Sequence, residues 1–96
     1  MDIIDQTAQH RFVGTEDGQE AQLVYEVHGD RLHIVHTEVP EALGGRGLGG
    51  KLVTAAVERA AASGETIVPE CPYARGWLRK HADVAAKVTI DWPEED

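Results

Sequence analysis

Val39-Pro40-Glu41-Ala42-Leu43-Gly44-Gly45-Arg46-Gly47-Leu48-Gly49-Gly50-Lys51-Leu52 stands between a strand-like run and a helical pattern. Glycines at such a turn let the backbone take positive φ, and they let a ligand or another backbone come close with no Cβ in between. The first N–H groups of a helix have no internal partner, and the helix dipole makes that end attractive to anions. A glycine-rich loop feeding a helix is therefore a seat for phosphate. Arg46 and Lys51 flank the seat with positive charge.

Two phosphate-binding motifs fail against this stretch. A nucleotide P-loop ends in Gly-Lys-Ser/Thr, and here Gly50-Lys51 is followed by Leu52. Gly45, Gly47 and Gly50 fit the dinucleotide string G-x-G-x-x-G, but that motif opens a strand-helix-strand unit. Here a meander of strands comes first.

Upstream of the loop, Arg31 to Val39 reads as a strand with Leu32, Ile34 and His36 on one side. Gly29-Asp30 turns the chain. Ala21 to Val27 alternates, with Ala21, Leu23, Tyr25 and Val27 on one face, as a half-buried strand does. Glu16-Asp17-Gly18-Gln19 carries the Asp-Gly signal of a hairpin, and Arg11 to Val13 forms a short first strand before it. Downstream, a helix runs from about Gly47 to Ser63. Leu48, Leu52, Ala56 and Ala60 repeat at i+4, and Val53, Val57 and Ala61 widen the stripe. Gly64 is its C-cap. Thr66-Ile67-Val68 is a strand that returns parallel, since strand-helix-strand steps run right-handed and parallel. Pro72 suits the first turn of a second helix, on which Ala74, Trp77, Leu78 and His81 share a face. Val88, Ile90 and Trp92 alternate in a last extended segment, and Pro93-Glu94-Glu95-Asp96 is an acidic tail. The fold class expected is α/β (α+β): a mixed sheet made of an antiparallel three-strand meander, then helix, strand and helix.

Ninety-six residues, 1–96, make one domain with one modest core. No apolar run approaches ~18 residues, which excludes a membrane-spanning helix. Met1-Asp2-Ile3-Ile4-Asp5 is acidic and lacks the build of a signal peptide. Cys71 is the sole cysteine, which excludes an internal disulfide or a cysteine metal cluster and fits a reducing cytoplasm. Nine Lys and Arg stand against seventeen Asp and Glu, for a net charge of −8. That balance argues against a nucleic-acid partner and favours a cationic one.

Taken together, the order of elements and the loop resemble the GNAT superfamily of N-acetyltransferases. Gly44 to Gly49 is similar to the coenzyme A pyrophosphate loop, Gln/Arg-x-x-Gly-x-Gly/Ala, matching at Gly47 and Gly49. Gly44 departs from it, since Gln or Arg usually stands there and supplies a side-chain donor. More narrowly, His36-Thr37-Glu38-Val39-Pro40, the glycine loop and Val68-Pro69-Glu70-Cys71-Pro72-Tyr73-Ala74 resemble a minimal subfamily of acetyl-CoA-binding proteins. The likeness covers roughly Phe12 to Trp92, without the superfamily's usual N-terminal helical region. It implies acetyl-CoA as cofactor and a small-molecule or protein amine as acceptor. Backbone amides from Val39 to Leu43 would then pair with pantetheine, and Gly45, Gly47 and Gly49 would seat the pyrophosphate. Ala42, Gly44, Arg46, Leu48, Gly50 and Lys51 belong to the same binding set. A non-catalytic acyl-CoA binding module is the alternative.

Three residues are candidates for chemistry. Cys71 lies between a strand end and a helix start, where the dipole favours a thiolate; it reads either as a nucleophile or orienting group, or as a packed core thiol. His36 and Glu38 point the same way on the strand before the loop, and either could take a proton from an ammonium acceptor. The superfamily often carries Asn-x-x-Ala-x-x-x-Tyr, whose Tyr protonates the departing thiolate. Aligning Ala74 puts Cys71 at the Asn and Leu78 at the Tyr, so that acid is absent. Tyr73 lies on a different helix face from Leu78 and is no obvious replacement. Trp77 reads as core. His10, His28, His33 and His81 show no metal-ligand spacing, so no metal is expected.

Overall fold

The computed structural model describes residues 3–93. Four strands follow one another in an antiparallel meander: β1 (Ile3–Gln6), β2 (Arg11–Glu16), β3 (Gln19–His28) and β4 (Arg31–Glu38). Asp17 and Gly18, both left-handed at φ 51° and 73°, close the β2–β3 hairpin, because a two-residue turn there must match the twist of the strands. A 3₁₀ turn at Glu41–Leu43 and the glycines lead into α1 (Leu48–Ser63), which ends at left-handed Gly64. β5 (Thr66–Pro69) returns parallel to β4, the crossover that a parallel pair requires. Pro72 opens α2 (Pro72–Lys80), and a single turn, α3 (Ala82–Ala85), follows. The sheet order is β1-β2-β3-β4-β5.

The expected mixed α/β architecture is present, with one strand more than the sequence reading gave. β1 escaped it because Ile3-Ile4-Asp5-Gln6 does not alternate, and as an edge strand it leaves Ile4 60% exposed. β2 also runs on to Glu16. At the other end, Ile90 makes one parallel bridge to Ile67 instead of forming a strand, and Trp92 lies exposed beneath the Arg79 guanidinium. Of the acidic tail, residues 94–96 lie outside the described residues, as do residues 1 and 2.

The core lies between one face of the sheet and the helices. Leu52, Val53, Ala56, Val57 and Ala60 of α1 pack with Phe12, Leu23, Tyr25, Leu32 and Ile34, all of them buried. One expectation about that face is overturned. Leu32 and Ile34 point into the core, but His36 does not. Tyr25 pairs with Ile34 and Val24 with His36, leaving Val35 without a partner in the ladder. A bulge of one residue reverses the alternation beyond it. Thr37, opposite Leu23, therefore faces the helices, whereas His36 and Glu38, opposite Val24 and Gln22, face the other side. Val27, at the far end of β3 opposite Leu32, keeps the face of Leu23 and Tyr25 but lies exposed at the strand end.

A polar clasp joins β1 to the core. The Tyr25 hydroxyl donates to Asp5 Oδ1 at 2.6 Å and accepts from Arg59 Nη1 at 2.5 Å, while Arg59 also pairs with Asp5 and Glu65. Burial first, and the bond to Asp5 second, push the Tyr25 phenol above its ordinary value of 10.0, with Arg59 pulling the other way. A raised phenol pKa favours the protonated folded form, so its contribution is complete below about pH 10 and is lost as pH rises past that value. Tyr25→Phe should cost about 1–2 kcal/mol at neutral pH. Urea unfolding across pH should show that difference narrowing above about pH 10. A difference that stays constant to pH 11 would contradict the burial of the phenol.

Candidate functional site

β4 and β5 are joined only as far as Ile34, which pairs with Pro69. The Ile34 carbonyl then accepts the amides of both Glu70 and Cys71 at 3.0 Å. Beyond this point the bulge interrupts the β4 ladder, and Pro72 starts α2. The strands part, and no strand of the described residues pairs with that side of β4 past Ile34. At the apex, the buried Cys71 Sγ donates to Thr37 Oγ1 at 3.7 Å. His36 Nε2 and Glu38 Oε2 lie 3.7 Å apart and exposed on the opposite face, and Glu38 accepts from Gln22 Nε2 at 2.8 Å. Cys71 and His36 thus flank the parting of the strands from different faces of the sheet.

The glycine loop forms one wall of this opening. Gly45 and Gly47 are left-handed at φ 80° and 74°, which a side chain would resist at either place. Gly47 is the N-cap of α1, and its carbonyl accepts from Lys51 N at 3.1 Å. The amides of Leu48, Gly49 and Gly50 therefore precede the first helical bond and are left over. In the 3₁₀ turn, Leu43 N is taken by the Pro40 carbonyl and Gly44 N by that of Glu41, so those two amides already have partners. Arg46 does not point at the seat. Its Nη1 donates to Glu16 Oε2 at 2.9 Å and to Asp17 Oδ2 at 2.8 Å, at the tip of the β2–β3 hairpin.

Gly49 and Gly50 serve a different purpose from Gly45 and Gly47. A Cβ on Gly49 would collide with the Tyr73 hydroxyl, and one on Gly50 with the Trp77 indole nitrogen. Their absence lets α2 lie directly on the first turn of α1. Trp77 is half-buried rather than core, and its ring stacks on His81 with centroids 3.9 Å apart. His81 Nδ1 donates to the Trp77 carbonyl at 2.8 Å. Two cavities result, one on each side of Gly47. A notch of about 180 Å³ lies between Val39, Leu43, the glycines and Tyr73. A groove of about 620 Å³ runs over Lys51, Thr54 and Glu58 to Trp77 and His81. Burial first, and the neighbouring Cys71 second, push the Tyr73 phenol above its ordinary value.

The sequence matches the profile of the GCN5-related N-acetyl-transferase family over residues 11–88. This chain belongs to that family. No curated protein matches it. Among solved structures, it is similar to the NMR solution structure of a GCN5-like protein from Staphylococcus aureus, with a TM-score of 0.73 and 28% identity. That overlay covers 98% of this chain and 91% of the other, so it takes in β1, which the family match leaves out. No helix of the described residues is long and apolar enough to cross a membrane. No group of three or more His, Cys, Asp or Glu among them could hold a metal ion.

Tyr73, no obvious replacement for the missing acid by its helix face, lines the notch beside the glycines. A signal for it existed. Adjacent glycines inside a helical turn are unfavourable and imply close approach by something bulky, and Tyr73 and Trp77 are spaced i, i+4. The two contacts differ in stiffness, because Tyr73 is 47% exposed whereas Trp77 is held by the core and His81. Gly49→Ala should leave stability unchanged or raise it by up to ~1 kcal/mol, through helix propensity. Gly50→Ala should lower it by about 1–2 kcal/mol through overpacking. Urea denaturation of both variants checks this, and equal losses would mean that Tyr73 is as fixed as Trp77.

Proposed function

We propose that this protein binds acetyl-CoA and transfers the acetyl group to an amine. The observation that carries the reading is that Gly47 borders both cavities. A ligand with an anionic centre and two unlike arms can cross the glycine crest with its middle on the leftover amides of residues 48–50. The pantetheine arm fits the notch toward the parting of β4 and β5, beside Val39 and Ala42. The nucleoside end fits the groove, where Lys51 offers charge and the Trp77–His81 stack an aromatic wall. When bound, acetyl-CoA supplies an activated acetyl thioester. Thr37 and Cys71 line the thioester end from the helix side. His36, on the opposite face, takes the proton from the acceptor's ammonium nitrogen, with Glu38 orienting the imidazole. A covalent relay would need Cys71 and His36 together, and their separation by the sheet favours direct attack by the amine. The acidic surface suits a cationic acceptor, and a lone thiol suits a cytoplasmic setting.

A second reading, an acyl-CoA binding module without turnover, has one observation in its favour. Leu78, where the family resemblance expects a tyrosine acid, is 1% exposed and wholly apolar.

Acetyl-CoA at 100 times its dissociation constant stabilises a one-site protein by ~2.7 kcal/mol. For a domain of this size that raises Tm by on the order of 10 °C. Gly47→Glu should abolish the shift, and no shift at millimolar acetyl-CoA rejects both readings. Release of free thiol in the presence of an amine panel then separates them. Cys71→Ala should retain most of the turnover if the amine attacks directly, whereas complete loss would require the thiol as a nucleophile.

A further inference from the structure

The strongest feature that the function does not use is the ion cluster at the edge of the anion seat. The only basic side chain within the glycine run before α1 is Arg46, and one of its nitrogens serves both Glu16 and Asp17. We propose that the tip of the β2–β3 hairpin is an electrostatic latch, holding Arg46 off the seat until a polyanionic ligand displaces the two carboxylates. The inference rests on the coenzyme reading above and adds a control on that site.

Three observations make the latch workable. First, it can open. The pairs are exposed to solvent, and exposed ion pairs are weak and screened by salt. Second, the arginine can be redirected. Left-handed glycines stand on both sides of it at 45 and 47, and nothing lies within 4 Å of where their Cβ atoms would be. Third, the catch is fixed in place. Glu16 ends β2, paired with Gln19 across the hairpin, and Asp17 occupies the left-handed first position of the turn. A rigid acidic tip facing a pliable basic loop gives two alternative partners to one guanidinium. An incoming phosphate gains Arg46 only by removing it from the carboxylates. Those carboxylates also repel the phosphate for as long as they remain beside it. Ligand-free protein is thereby biased away from binding, and raised ionic strength weakens latch and ligand contacts alike.

The variant Glu16→Gln/Asp17→Asn tests this while keeping the turn, because Asn tolerates the left-handed conformation that Asp17 holds. Calorimetric titration with coenzyme A at low ionic strength should show the double variant binding about threefold to tenfold more tightly than the parent, the range for removing two exposed charges. In an Arg46→Ala background the same double change should gain less than about twofold, since no arginine is left to release. Unchanged or weaker binding would overturn the latch and show that the hairpin instead holds the loop ready for ligand. An equal gain with and without Arg46 would also overturn it, reducing the effect to general repulsion. If the parent binds and the variants match it, the latch fails alone and the coenzyme reading stands. Binding by the double variant only supports the latch in its strongest form. If nothing binds, both fall.

Discussion

The Ile34 carbonyl accepts two amides, from Glu70 and Cys71, and the geometry of the cleft depends on that junction. It is the last backbone tie between β4 and β5. One residue later, Val35 drops out of the ladder and exchanges the faces of the side chains that follow. Without the bulge, His36 would lie in the core and Thr37 would point away from Cys71. With it, a thiol and a hydroxyl meet on the helix side, an imidazole and a carboxylate meet on the other, and the backbone opens between them. A single unpaired residue thus separates two chemistries that straight strands would mix.

The five glycines of the loop divide the work on the far wall. Gly45 and Gly47 allow backbone angles that side chains resist, and they shape the crest. Gly49 and Gly50 sit in ordinary helical geometry and are small so that Tyr73 and Trp77 can rest on them. The helix start is thereby both an anion-attracting end and a bearing surface for α2. Each helical glycine disfavours the helix by roughly 1 kcal/mol against alanine. The aromatic contacts of α2 offset that cost, and they bring Tyr73 to the notch.

Much of this was legible in the sequence, wherever a residue has one dominant backbone preference. The Asp17-Gly18 hairpin, the Gly64 cap, the Pro72 helix start and the parallel return of β5 all follow from such residues. Periodicity failed where a single step breaks it, as at Val35, which carries no mark of a bulge. It also failed where the element is too short to have a period, as in Ile3–Gln6 and Ala82–Ala85. Arg46 sits within the loop in sequence, yet its ion-pair partners are no part of that loop. Its partners lie some thirty positions earlier, on a hairpin whose tip only the folded sheet brings near. The place of Tyr73 on its own helix carries little information, because its position is set by Gly49 of the helix beneath it.

The order of events in folding adds a consequence. β1 to β4 pair only with sequence neighbours, so each hairpin can close over a short loop. β5 must wait until the whole of residues 39–65 has been gathered into a crossover, and it then joins β4 through only four register pairs. Closing the cleft therefore carries the longest loop closure in the sheet. Its β5 wall can also come away without unravelling the strands on the other side, in the manner of a local opening unit. Entry to the parting of the strands beside Thr37 and Cys71 need not depend on a rigid slot. The seam that borders it has only four register pairs, against six and seven in the β2–β3 and β3–β4 ladders.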